Sequence, residues 1–269
     1  MSPSWRDRVV VCLGPQAVSA AWYARGLRAH EPRRVRVECV AGGPVAALTA
    51  LEQALVELEL SAPQGRRVKP HAHLVLSNHF VRYALAPKAG SLRKPAERAA
   101  AASHALAAVY GDEAAAWNVV LGDAPAGDGA MAAGIEPALL AGALARLEAV
   151  GLTAVSAEPL LSAACAPLQK TLGAQDGWIA ITEPGHLLLA YVERGAWKWL
   201  RSQRLRQPLA HELPMWLDQL KVANGVTGDV RRVVLGAMQA PGFTFDAGTG
   251  YTLDPVLIEP EGRRPGVWG

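Results

Sequence analysis

Several residues in this chain have side chains capable of chemistry. Glu183 and His186 flank the turn Glu183-Pro184-Gly185-His186, and a carboxylate and an imidazole so placed could act as an acid–base pair. His71, His73 and His79 offer imidazole nitrogens, and strand alternation turns His71 and His73 to one face, as a partial metal site would require. No cysteine or acid accompanies them at ligand spacing, so surface and strand-edge histidines are the expectation and no metal ligand is assigned. The nucleophile and phosphate signatures Gly-x-Ser-x-Gly, Gly-x-x-x-x-Gly-Lys and His-Glu-x-x-His are absent, so an enzyme here would need a constellation assembled by the fold. No catalytic residue is assigned.

The 269 residues suffice for one large domain or two modest ones, with 51% hydrophobic and 19% charged content. The net charge of +3 is spread over pairs such as Arg33-Arg34, Arg66-Arg67, Arg231-Arg232 and Arg263-Arg264 without aromatic interleaving, which disfavours nucleic acid as a partner. Cys12, Cys39 and Cys165 form no Cys-x-x-Cys pair and read as reduced core residues. Met1 to Arg8 lacks the apolar segment of a secretory signal, and no run reaches the roughly 18 to 20 apolar residues of a membrane helix. The expectation is a cytoplasmic protein that meets a membrane only through a partner.

The elements that must position these residues read as follows. Val9 to Leu13 and Val18 to Arg25 form a hairpin about Gly14-Pro15-Gln16, Arg33 to Val40 is a half-buried strand, and Gly42-Gly43-Pro44 opens a helix with Val45, Leu48, Leu51, Leu55 and Leu58 as its apolar stripe. His71 to Ser77 returns as a strand. From Phe80 to Ala157 the order is β-α-β-β-α-β, with Ala100, Leu106 and Val109 inward on the first helix, Gly122 to Gly129 a loop, and Pro137 opening the second helix; that is the ferredoxin-like order. Pro159 starts a further helix. Trp178 to Thr182, Leu187 to Glu193 and Ala196 to Arg201 make a meander closed by turns at Pro184-Gly185 and Arg194-Gly195, with Trp197 and Trp199 on one strand face. A helix from Pro208 to Val222, a strand Val230 to Leu235, a loop Gly242 to Gly250 and an edge strand Tyr251 to Ile258 follow. Strand-turn-strand-strand-helix thus occurs twice.

A duplicated three-strand-plus-helix unit with an insert in its first half resembles the actin-like (ribonuclease H-like) fold as it occurs in the type IV pilus protein PilM and its relatives GspL, of type II secretion, and MshI. Leu76-Ser77-Asn78-His79-Phe80-Val81-Arg82-Tyr83-Ala84-Leu85-Ala86-Pro87 looks like the strand entering the insert in such proteins, and Tyr110-Gly111 followed by Trp117 fits as well. The resemblance implies an α/β (α+β) actin-like duplicated core with a ferredoxin-like β-α-β-β-α-β insert and a reduced fourth subdomain. Its boundaries would be a first subdomain at 1–79, the insert at 80–158, a second subdomain at 159–258 and a tail at 259–269. In nucleotide-binding members, two hairpin turns clamp phosphate and a late Gly-Gly turn approaches the adenosine. Here Pro15 and Pro184 each lack an N–H, the turn around Gly14 has no carboxylate or hydroxyl, and His186 and Leu187 stand beside Gly185 where small or hydroxyl residues would serve. The late turn Leu235-Gly236-Ala237-Met238 keeps one glycine and adds a Cβ at Ala237. These degenerate turns point to a scaffold without cofactor; the alternative is an actin-like ATPase or small-molecule kinase using ATP with magnesium.

PilM-like proteins, as the resemblance implies, receive the cytoplasmic tail of a single-pass inner-membrane pilus or secretion protein between the first sheet and the insert. Asn78, Phe80, Arg82 and Tyr83 would border that cleft, Asn78 bonding an extended backbone, Phe80 or Tyr83 forming an apolar wall and Arg82 meeting a tail acid. Phe80 and Arg82 share one face and Val81 and Tyr83 the other, so at most one pair faces the tail. A homodimer is compatible with this reading, and membrane association would be peripheral, through the partner.

Overall fold

A computed structural model describes residues 7–24, 31–58, 69–87, 92–122, 129–227, 229–238 and 249–258. The expected tail at 259–269 and much of the loops at 61–69, 122–129 and 242–250 lie outside these residues.

Both halves build the same sheet. In the first, β1 (Arg8–Leu13), β2 (Ala17–Tyr23) and β3 (Arg33–Glu38) form an antiparallel meander, helix α1 (Gly43–Glu57) crosses back, and β4 (His71–Leu76) lies parallel to β1. In the second, β9 (Gly177–Glu183), β10 (His186–Glu193) and β11 (Ala196–Arg204) form the meander, α5 (Leu209–Ala223) crosses back, and β12 (Arg232–Ala237) lies parallel to β9. Each sheet is completed by a further parallel strand, β8 (Thr153–Pro159) beside β4 and β13 (Thr252–Leu257) beside β12, so the strand orders are β3-β2-β1-β4-β8 and β11-β10-β9-β12-β13.

The insert differs from the ferredoxin-like order. β5 (Val81–Pro87), α2 (Pro95–Tyr110), β6 (Asn118–Leu121) and β7 (Gly129–Ile135) form a three-stranded sheet, β5-β7-β6, with its own small core of Ala84, Ala102, Leu106 and Leu121. The last helix and strand of the expected six belong elsewhere: α3 (Pro137–Ala149) packs on α1, and β8 pairs with β4. Element order was right and assignment wrong, because β8 reads the same as a strand whichever sheet takes it. Its register against His71 to Leu76 fills the first sheet's open edge.

Helix α4 (Leu160–Leu172) joins the lobes. Leu160, Leu161, Ala164, Leu168 and Leu172 are buried, and the helix touches β4 and β8 of one sheet and β9, β12 and β13 of the other, so one apolar core runs through both lobes. A second core, on the far face of the second sheet, sets Leu213 and Leu217 of α5 against Trp178, Leu187 and Leu189.

Local readings shift in instructive ways. Val45 and Val109 are exposed, at 78% and 62%, and Ala100 is exposed, because the buried faces of α1 and α2 run through Ala47, Leu51, Ala54 and Leu55 and through Ala102, Ala105 and Leu106. Trp197 and Trp199 do not share a face. A bulge in the β10–β11 pairing sets Val192 opposite Trp197 but the preceding Tyr191 opposite Trp199, so Trp197 enters the shared core and Trp199 the α5 core. Gly236 is no turn residue: it pairs with Ile181 and Val256 inside β12, where an added Cβ would lie 2.8 Å from Ile258 Cδ1 and 3.0 Å from Leu168 Cδ2. Its missing side chain lets α4 approach the sheet.

Candidate functional site at the junction of the lobes

The polar run Ser77-Asn78-His79 follows the apolar end of β4 and leads into β5, and it lies against the turn between β9 and β10. That turn is tight because Pro184 presets the first central position and Gly185 takes φ 71° at the second, the conformation of a type II turn. It leaves the Glu183 side chain pointing across to the first lobe.

Glu183 is the centre of the junction. Ser77 Oγ–H donates to its Oε1 at 2.5 Å and the Asn78 N–H donates to its Oε2 at 2.9 Å. Ser77 Oγ in turn accepts the His79 N–H at 3.1 Å, and His79 Nε2–H donates to the Pro184 carbonyl at 3.1 Å, which fixes the His79 proton on Nε2. Hydrogen bonds to a carboxylate are among the stronger ones in proteins, so this bridge is a substantial tie between the lobes. Burial pushes the Glu183 carboxyl above its ordinary value, and the bonds from Ser77 and Asn78 hold it back.

The first glycine turn meets the same place. Gly14 N–H donates to Ala17 O at 3.2 Å, Ser77 N–H donates to Leu13 O at 2.9 Å, and a Cβ on Gly14 would stand 3.9 Å from Ser77 Cβ. The turns carrying Gly14-Pro15 and Pro184-Gly185 therefore face each other through Ser77, while Gly236 lies in the sheet.

Glu183 and His186 do not form the acid–base pair their spacing suggested. The His186 ring lies against His79, centroids 4.6 Å apart at 38°, and its Nδ1 is buried without a partner. Burial, with His79, Arg82 and Arg204 nearby, pushes His186 down to about 4, so it is a neutral ring at neutral pH. The other histidines do not converge either. His73 Nδ1 meets Ser156 Oγ at 2.7 Å, and burial beside Arg8 and His71 lowers it to about 4. Among the described residues no group of three histidine, cysteine, aspartate or glutamate side chains is placed to hold a metal ion.

Of the residues expected to border a partner's cleft, Asn78 and Tyr83 face inward. Asn78 is fully buried and its Oδ1 accepts the Tyr83 hydroxyl at 2.5 Å; Tyr110 OH donates to Tyr83 O at 3.2 Å. Burial also pushes the Tyr83 phenol far above its usual range. Phe80 and Arg82, the alternate pair, are half-buried, and Arg82 donates through one N–H to His79 O at 2.9 Å. Sequence reading missed Ser77 as the clasp of the junction. Its signal was a polar triplet directly after Leu74-Val75-Leu76, where an apolar strand ends inside the molecule.

Against solved structures, the chain superposes on the PilM–PilN type IV pilus biogenesis complex with a TM-score of 0.62 at 15% identity, over 93% of this chain and 88% of that one. A Bacteroides thetaiotaomicron protein of actin-like ATPase fold and unknown function matches with a TM-score of 0.57 at 9% identity, over 93% and 91% of the two chains. The fold is actin-like. The cytoplasmic domain of EpsL from Vibrio cholerae, an inner-membrane component of its type II secretion system, is similar too, with a TM-score of 0.54 at 13% identity over 93% of this chain and 90% of that domain. The solved structures that share this fold thus include a PilM–PilN complex and the EpsL cytoplasmic domain. No family model matches the sequence, and no curated protein sequence does. Among the described residues no helix is long and apolar enough to cross a membrane.

Proposed function

We propose that this protein is a non-catalytic scaffold of a type IV pilus or type II secretion-like assembly, working in the cytoplasm at the inner membrane and binding the cytoplasmic tail of a single-pass membrane partner. The observation that carries the reading is the Glu183 bridge. In this fold the facing turns of the two lobes are where a nucleotide's phosphates would be gripped; here the chain's own carboxylate takes the Ser77 hydroxyl and the Asn78 N–H, and Pro15 and Pro184 bring no N–H to either turn. A junction closed by an internal anion suits a rigid platform better than a turnover site. The likeness to a chain solved as a PilM–PilN complex agrees with a partner-binding role.

Arg82 on β5, with Phe80 in the turn that precedes it, is offered to the tail, while Asn78 and Tyr83 hold that strand in place from inside. Arg82 would meet a tail acid in a charge-assisted bond. Titration with the tail of a candidate partner should show Arg82→Ala weaker by about 1 to 3 kcal/mol, with the melting curve nearly unchanged. Equal affinity in a well-folded Arg82→Ala protein would take Arg82 out of the interface.

A further inference from the structure

Beyond the bridge, the seam between the insert and the second lobe ends in a cluster made of hydrogen-bond donors. The β10–β11 register sets His186 opposite Arg204 and Leu188 opposite Ser202, so His186, Arg204 and Ser202 share one sheet face. It is the face that carries Leu188 into the core shared with insert residues Tyr83, Ala133 and Ile135. β5 runs beside β11, and Arg82 on β5 and His79 in the link approach His186 from the insert side.

Three features separate this cluster from an ordinary basic surface. His186, 6% exposed, has a buried Nδ1 with no partner, and Ser202 Oγ is also buried and unpartnered. An orphaned buried polar atom keeps its full desolvation penalty, so two on neighbouring strands of one face point to a ligand. Arg82 is bonded through only one N–H, to His79 O, and among the described residues no ion pair forms to Arg82 or Arg204, whereas Lys198 on the same strand pairs with Glu193. The Glu183 carboxylate is held by Ser77 and Asn78. The depressed titration of His79 and His186, to which both guanidiniums contribute after burial, agrees with an uncompensated positive field. Arg201 is the internal control: opposite Leu189, it sits on the other sheet face.

We propose that Arg82, Arg204, Ser202 and His186 form a binding site for an oxyanion, a phosphate or a carboxylate, at the seam of insert and second lobe. The guanidiniums neutralise it, and the Ser202 hydroxyl and the His186 ring complete its hydrogen bonds. The site rests on the fold rather than on the tail reading. Arg82 serves both, but Arg204 and Ser202 serve this site alone.

The test uses the intact chain, titrated separately with inorganic phosphate and with acetate at constant ionic strength. The readouts are the imidazole resonances of His79 and His186 and the melting temperature. Binding should move both resonances and raise the melting temperature, and Arg204→Gln should weaken the response about tenfold or more, as loss of a charged hydrogen bond does. Response to both anions assigns a general oxyanion site; response to phosphate alone assigns a phosphoryl site. Ser202→Ala serves as the second variant should Arg204→Gln fold poorly. Unmoved His186 resonances with either anion at about 10 mM, a dissociation constant too weak to matter by ordinary affinity arithmetic, would overturn the proposal, as would an undiminished response in a folded Arg204→Gln or Ser202→Ala protein.

Discussion

At the scale of single residues, histidines carry the clearest consequence. His73 and His186 are both held near 4 in the folded chain against an ordinary value of 6.5, chiefly by burial. A base whose folded value is depressed stays neutral while the unfolded chain takes up a proton. Stability from these groups is therefore complete above about 6.5 and is lost as the pH falls toward 4, each group withdrawing on the order of 1 to 3 kcal/mol over that window once solvent screening is allowed for. Glu183 works in the opposite sense: its folded value is raised, so acidification relieves a cost of keeping it ionised. Two histidines act against one carboxylate, and the melting temperature should drop between pH 7 and 4.5, with a shallower drop in His186→Gln; equal slopes in variant and parent would contradict this. Sequence alone showed that these side chains were chemically capable. It did not show that Glu183 answers Ser77 rather than His186, because the two residues are more than a hundred positions apart and meet only through the packing of two lobes.

At the scale of elements, most strands and helices were legible because their periodicity is strong. The helices that open at Pro137 and after Pro208 start within a residue of the expected place, where proline's fixed φ suits a first turn. What was not legible was sheet membership and strand irregularity. β8 carries no local mark of the sheet it joins, and the bulge that parts Trp197 from Trp199 arises from pairing, which one strand's residues do not encode. The insert offers a prediction of its own. Gly134 on β7 packs under α2 and the Trp117 ring, where an added Cβ would lie 2.8 Å from Trp117 Cε3 and 3.0 Å from Leu106 Cδ1. Gly134→Ala should destabilise the protein by about 1 to 3 kcal/mol, as overpacking does, in denaturant unfolding followed by tryptophan fluorescence. An unchanged midpoint would show that the insert core is looser than its geometry implies.

At the scale of the whole molecule, the duplication was readable from element order, and the two sheets repeat it strand for strand. How the lobes are joined was not readable. α4 packs on both sheets, Glu183 reaches across to the Ser77-Asn78 link, and the insert leans on β11, so apolar and polar contacts together hold the two halves in one arrangement. Such a molecule is suited to presenting fixed surfaces, and the account stands or falls on whether nucleotide enters its junction. Calorimetric titration of the intact chain with ATP and magnesium measures this directly. No micromolar nucleotide binding is expected, any heat being confined to weak, millimolar anion binding by Arg82 and Arg204 at the seam. A micromolar dissociation constant, about −8 kcal/mol, would contradict it and make the chain an actin-like ATPase or kinase with unusual turns.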